Sequence, residues 1–215
     1  MKEFDYSQVK HYKFYGFIKH TLGWLVRCVY RIDFKGEENI PAKGERYIVA
    51  INHTCALDPV FIGASKKMPP LHFMAKSELF ENSFVAWIIT HMYGFPVKRG
   101  QGDTTAVEFG EKIINEGHVM AICPEGKRIK DKDGVPQRAK AGVAIIANAT
   151  GASVLPVAIC CDGKIKPFKK VTLSIGKPVT CEEMGLHGQE DYEQIRNAAD
   201  TVMNNITALW EAERN

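Results

Sequence analysis

His53 and Asp58 are residues whose types and spacing could do chemistry. They lie in the stretch Asn52-His53-Thr54-Cys55-Ala56-Leu57-Asp58-Pro59. A neutral imidazole takes a proton near physiological pH, and a carboxylate against one ring nitrogen decides which nitrogen is left to do so. Five residues are about 140° apart on a helix, so a continuous helix would not pair them. A turn can, and the flanks predict one. The apolar run Tyr47-Ile48-Val49-Ala50-Ile51 reads as a buried strand, and Val60-Phe61-Ile62-Gly63-Ala64 reads as a helix. Asp58 and Pro59 then stand as N-cap and first helical residue. Two other readings stay open here: a buried histidine bonded to backbone, and a thiol nucleophile, Cys55, beside a histidine.

Further polar blocks follow. Gly94-Phe95-Pro96-Val97-Lys98-Arg99 ends in two cations, and Arg99 offers the bidentate donors that suit a phosphate, with Lys98 beside it. Pro124-Glu125-Gly126-Lys127-Arg128 joins a carboxylate to two more cations around a glycine that permits close backbone approach. Val154-Leu155-Pro156-Val157 is apolar and structural. A solvated surface charge is the plain alternative for each arginine.

The elements that must position these blocks alternate. Helices are predicted at 10–30, 59–66, near 83–92, at 103–116, 139–150 and 189–213. Strands are predicted at 31–35, 46–51, 71–75, around 94–98, and at 118–123, 153–160 and 171–176. This pattern implies one α/β domain, a mixed, largely parallel sheet flanked by helices on both faces. Sites in such sheets form at the carboxyl ends of strands. His53, Arg99 and Glu125 each follow a strand, so three polar blocks converge on one crevice.

In this order, the four blocks resemble the glycerolipid acyltransferase superfamily, most closely its 1-acylglycerol-3-phosphate acyltransferases, over about residues 35 to 180. The family's third block usually reads Phe-Pro-Glu-Gly-Thr-Arg-Ser. Here Cys123, Lys127 and Ile129 replace the Phe, Thr and Ser, while Pro124, Glu125, Gly126 and Arg128 are kept. The resemblance implies that His53 is the general base and Asp58 its partner. It also implies that Glu125 binds the glycerol hydroxyl, and that Arg99, Lys98, Gly126, Lys127 and Arg128 form the rest of the substrate site. Transfer would be direct, with Cys55 a packing residue. No cofactor is implied; the co-substrate is a thioester of coenzyme A or acyl carrier protein, and the acceptor is lysophosphatidic acid. Acylation of glycerol-3-phosphate or another lysophospholipid is the competing enzyme reading. Metal-dependent phosphoester hydrolysis by His53, Asp58 and Glu125, and a non-catalytic membrane-binding protein, are the other classes.

Composition sets bounds. The chain has 215 residues, 45% hydrophobic and 25% charged, enough for one good core. Its net charge of +3 is uneven: residues 1–31 hold six Lys/Arg and two Asp/Glu. Residues 1–30 are set apart as a basic amphipathic membrane-interface segment, with the acyltransferase domain at 31–215. On a helical wheel Phe14, Phe17, Ile18, Leu22, Leu25, Val26 and Val29 share one broad face. Lys13, His20, Arg27 and Arg31 fall within about 40° of one another opposite, and Tyr15 and Trp24 add aromatic anchors. A surface helix packed on the core is the alternative. The first ten residues lack the apolar core of a signal peptide. The uncharged stretch 141–161 is broken by Gly151 and Pro156 and reads as a buried helix and strand rather than a membrane span. The six cysteines show no paired spacing and read as reduced thiols. The expected place is the cytoplasmic, inner face of an anionic membrane. The Lys164, Lys166, Lys169 and Lys170 strip suits lipid phosphates or an acidic carrier protein, and nothing in the pattern suggests nucleic acid.

Overall fold

Five consecutive residues of one strand, Tyr47–Ile51 (β2), are all buried, so both faces of the sheet at this point are covered. The strand sits near the middle of a seven-stranded sheet in a computed structural model that describes residues 4–12, 15–100, 102–129 and 134–214. Its partners are β1 (Arg31–Lys35), β3 (Leu71–Lys76), β4 (Gly94–Val97), β5 (Val119–Ile122), β6 (Ser153–Cys160) and β7 (Lys170–Ile175). The order is β1-β7-β6-β2-β5-β3-β4. The five strands from β6 to β4 are parallel, and β7 runs antiparallel to β6 with β1 parallel to β7. The carboxyl ends of the central strands and the start of β1 therefore share one edge.

Alternation along β2 divides the core. Ile48 and Ala50 face a cluster containing Phe109, Ile113, Ile146 and Ile206. These come from α4 (Thr104–Asn115), α5 (Gly142–Thr150) and α6 (Tyr192–Ala212). Tyr47, Val49 and Ile51 face the other way, toward Val26, Phe61 and Ile62 of α1 (Tyr15–Val29) and α2 (Asp58–Gly63). Helix α3 (Ser83–His91) packs beside β4 at the sheet edge. Local chemistry explains the boundaries. Asn82 and Asp103 cap α3 and α4 through their side chains, Asp191 and Gln194 form a capping box on α6, and Gly151 ends α5 in the left-handed conformation at φ 66°. The uncharged stretch 141–161 is indeed α5 and β6, and no described helix is long and apolar enough to cross a membrane.

The amino-terminal segment departs from the sequence reading. The helix covers Tyr15–Val29, not 10–30. Residues 4–12 lie along the core instead, with Phe4 and Tyr6 edge-on to Phe109 and the Tyr6 hydroxyl donating to the Pro96 carbonyl. Lys13, Phe14 and the Ile18 side chain, all used on the helical wheel, lie outside the described residues. The apolar face of α1 also divides. Val26 turns in against α2 and Leu22 is half-buried, while Phe17, Trp24 and Leu25 stand 61%, 68% and 50% exposed. Arg27 is not a loose cation. It donates to the Ala64 carbonyl at the end of α2 and lies 5.5 Å over the Phe34 ring. Lys19 likewise reaches the Met68 carbonyl.

Candidate active site

His53 leaves β2 into a tight turn, and Asp58 begins α2 rather than capping it; the N-cap is Leu57, in a helical conformation. The carboxylate of Asp58 turns back into the turn. One oxygen accepts from the Thr54 amide at 2.8 Å, and the other accepts from the Thr54 hydroxyl at 2.6 Å. The Cys55 amide lies 3.0 Å from both. The same turn brings His53 Nδ1 to 2.7 Å from Asp58 Oδ2. The fully buried Asp58 carboxylate accepts a hydrogen bond from Nδ1–H, so Nε2 is left as the acceptor nitrogen of the neutral ring. Among the described residues no group bonds Nε2, and His53 keeps 9% of its surface.

Three other elements hold this turn in place. Asn52 bolts β2 to β6: its amide donates to the Ile159 carbonyl at 3.0 Å and its oxygen accepts from the Ile159 amide at 2.7 Å. Glu125, 3% exposed, accepts from the His53 amide at 2.7 Å and from the Gln137 amide at 3.1 Å. The His53 carbonyl accepts from the Ile129 amide at 2.8 Å. The turn after β5 is thus laced to the turn after β2 through both the amide and the carbonyl of His53, and the Lys140 amide donates to the Pro124 carbonyl at 2.8 Å. Gly126 stands at φ 68°, where a side chain would be strained, and a Cβ there would meet the Lys140 stem at 2.8 Å. Burial, opposed by those two amide bonds, raises the Glu125 carboxyl above its usual range.

The sequence-predicted residues are therefore brought together unequally. His53, Asp58, Glu125 and Gly126 form one bonded unit. Both Glu125 oxygens meet backbone amides, which the spacing could not reveal because the partners lie 72 and 12 residues away. Lys98, Arg99, Lys127 and Arg128 are exposed, and no described contact ties their charged ends to the pair. Burial, then the Asp58 and Glu125 carboxylates, push the Cys123 thiol well up, and the Arg99 guanidinium pulls the other way. Asn52, the Gln137 amide and Lys140 were missed as site residues. Only Asn52, a buried amide at a strand end, carried a signal that could have found it.

Cys55 is placed to pack. Burial, then the Asp58 carboxylate, push its thiol up to about 12, so the thiolate needed for attack is scarce at neutral pH. All six cysteines are free. Among the described residues no three His, Cys, Asp or Glu side chains group to hold a metal ion. A small pocket between α1, α2 and β3 is lined by Lys19, Leu22, Pro59, Val60, Phe73 and Met92, among others.

The chain is 28% identical over 168 residues to the 1-acyl-sn-glycerol-3-phosphate acyltransferase of Bacillus subtilis, covering 77% of this chain and 82% of that one. It is 23% identical over 209 residues to the enzyme of the same name from Streptococcus pneumoniae, covering 92% and 77%. The crystal structure of the 1-acyl-sn-glycerophosphate acyltransferase PlsC from Thermotoga maritima superposes with a TM-score of 0.71 at 23% identity, covering 97% of this chain and 85% of that one, which establishes the shared fold. The acyltransferase family model matches residues 31–160, from β1 through β6 and across the turn that carries His53 and Asp58; the chain belongs to the acyltransferase family.

Proposed function

We propose that the protein transfers a fatty acyl group from a thioester to the free hydroxyl of lysophosphatidic acid, giving phosphatidic acid. The observation that carries this reading is the His53–Asp58 pair at 2.7 Å, with Nε2 left open at the carboxyl edge of the sheet. In the proposed reaction Nε2 accepts the hydroxyl proton as the acceptor oxygen attacks the thioester carbonyl carbon. Asp58 stabilises the imidazolium that forms. The carbon–sulfur bond then breaks, and the imidazolium returns its proton to the departing thiolate. Imidazole is regenerated, and an ester and a thiol are released.

The surroundings support a phosphorylated lipid as acceptor. Arg99 and Lys98 on one turn, and Lys127 and Arg128 on another, are exposed cations available to its phosphate. Glu125 and Gly126 fix the turn against which the glycerol lies. On the outer side of α1, Phe17, Trp24 and Leu25 suit the interface of a bilayer, where the acceptor resides. The donor is a thioester of coenzyme A or of acyl carrier protein.

Purified protein given each donor with lysophosphatidic acid, glycerol-3-phosphate and an uncharged lysolipid tests the reading. Phosphatidic acid is expected as the main product, with release of one thiol per ester and no loss of rate in chelator. Faster acylation of glycerol-3-phosphate would move the assignment to the competing acceptor, and phosphate release that stops on chelation would replace it with hydrolysis.

A further inference from the structure

Phe168 lies in the loop between β6 and β7, at φ 67° with 76% of its surface exposed. A side chain in the left-handed region is strained, and burial usually compensates for such strain. Here the ring is in water and makes no aromatic contact among the described residues. Exposed Lys164, Lys166 and Lys170 surround it in sequence, with half-buried Lys169 between. Lys169 reaches the Asp162 carbonyl, and Lys170 pairs with Asp33 at 2.9 Å. Among the described residues, Lys164 and Lys166 carry no ion pair. The chain thus holds an aromatic ring and at least two uncommitted cations outward at a cost in backbone strain.

The loop is also tied to α1. The Phe168 amide donates to the Val29 carbonyl at 2.7 Å, and the Arg31 amide donates to the Lys169 carbonyl at 3.1 Å. Leu25, half exposed, lies one turn before Val29 on α1, and Trp24 stands beside it. The loop leaves the carboxyl end of β6, the strand that Asn52 bolts to the catalytic turn. Ring, cations and the outward face of α1 therefore meet at the edge of the sheet that carries His53.

We propose that the loop at residues 161–169 is a second membrane-docking element, its Phe168 ring entering an anionic lipid surface while Lys164 and Lys166 meet the headgroup phosphates. This rests on the reading above, in which the acceptor is drawn from a bilayer. An acidic carrier protein would use the lysines too. The exposed ring, on a loop bonded to the last turn of α1, favours lipid.

Sedimentation of the full chain with phosphatidylcholine vesicles, with and without phosphatidylglycerol, tests the proposal. The variants are Phe168→Gly, Lys164→Ala/Lys166→Ala and, on α1, Trp24→Ser/Leu25→Ser. Removing the lysines should weaken binding to anionic vesicles about five-fold for each, and the loss should shrink at high salt. Phe168→Gly should weaken binding about ten-fold while its Tm stays at or above that of the unmodified chain, since glycine adopts φ 67° freely. Both loop variants should turn over acceptor in detergent micelles at the normal rate. Should Phe168→Gly fold poorly, the lysine variant decides alone. Loop variants that bind as the unmodified chain does, while the α1 variant is released, would overturn the loop and leave the membrane reading standing. If the unmodified chain binds no vesicles, that reading fails and the loop with it. Unchanged vesicle binding with a raised KM for the carrier-protein thioester would assign the loop to that partner instead.

Discussion

His53 and His72 occupy opposite edges of one sheet and live in opposite chemical worlds. His53 follows β2 at the carboxyl edge, bonded to a carboxylate that four donor groups converge on. His72 is the second residue of β3, at the amino edge, 5% exposed between the Tyr93 ring at 4.6 Å and the His118 ring at 5.3 Å. His11 lies 4.8 Å beyond His118. No acidic group acts on His72; burial, then the charges of His118 and His11, lower it to about 3. Of the two, only His53 is bonded to a carboxylate, the partner that the proposed base needs and a packing histidine does without.

The sharpest break in this comparison is removal of the open imidazole. His53→Ala should lower turnover on the order of 10²–10⁴-fold, with Tm and circular dichroism close to the unmodified chain. Asp58→Asn should fall in the same range, because the amide cannot stabilise the imidazolium and the turn loses a charged acceptor. The double variant should be little worse than either, since the two act as one unit. Near-normal turnover in folded His53→Ala protein would end the mechanism.

Smaller effects are expected around the pair. Arg99→Ala and Arg128→Ala should each raise the KM for lysophosphatidic acid about ten-fold or more and leave the thioester KM nearly unchanged. Charge-assisted contacts to phosphate contribute roughly 1.5–3 kcal/mol. Steady-state kinetics with each substrate varied in turn would reveal the reverse pattern if these arginines hold the donor. Cys55→Ser should change turnover by less than about three-fold, because attack by the lipid hydroxyl bypasses the thiol. A thioester adduct trapped on Cys55, with loss of rate in the serine variant, would refute direct transfer.

The pairing of His53 with Asp58 was legible because its signal is local. A strand, a turn and a helix start are written in consecutive residues, and five positions are enough to close the bond. The alternation of apolar runs likewise gave every strand and the layered architecture. Glu125 was legible only as a carboxylate. Its amide partners lie on His53 and Gln137, and no local pattern reports pairings across loops. Residues 4–12 carry no periodicity, so the packing of Phe4 and Tyr6 on Phe109 could be found only in three dimensions. On α1 the wheel found an amphipathic helix but not how its apolar side chains divide between the core, where Val26 lies, and the outside, where Phe17, Trp24 and Leu25 lie. Apolar side chains occupy more than one side, and sequence alone does not say which of them α2 covers.

The smallest effect on rate, and the finest test of the contrast, belongs to His72. His72→Leu should leave turnover unchanged at neutral pH, because the residue lies at the far edge from the reacting groups. Its signature is in stability. The folded chain holds His72 down at about 3, whereas an unfolded histidine titrates near 6.5. Between those values the unfolded state binds the additional proton, so stability falls as pH falls. The contribution is complete above about 6.5 and is lost as pH falls toward about 3, at up to about 1.4 kcal/mol per pH unit. His118 is also held low, by burial and then by His11, and adds to the same slope, opposed by Glu116. Urea unfolding between pH 7 and pH 4 should therefore give a shallower loss of stability in His72→Leu than in the unmodified chain. An unchanged slope would mean that His72 is solvated well enough to accept a proton in the fold. The two edges of the sheet would then differ less than their geometry implies.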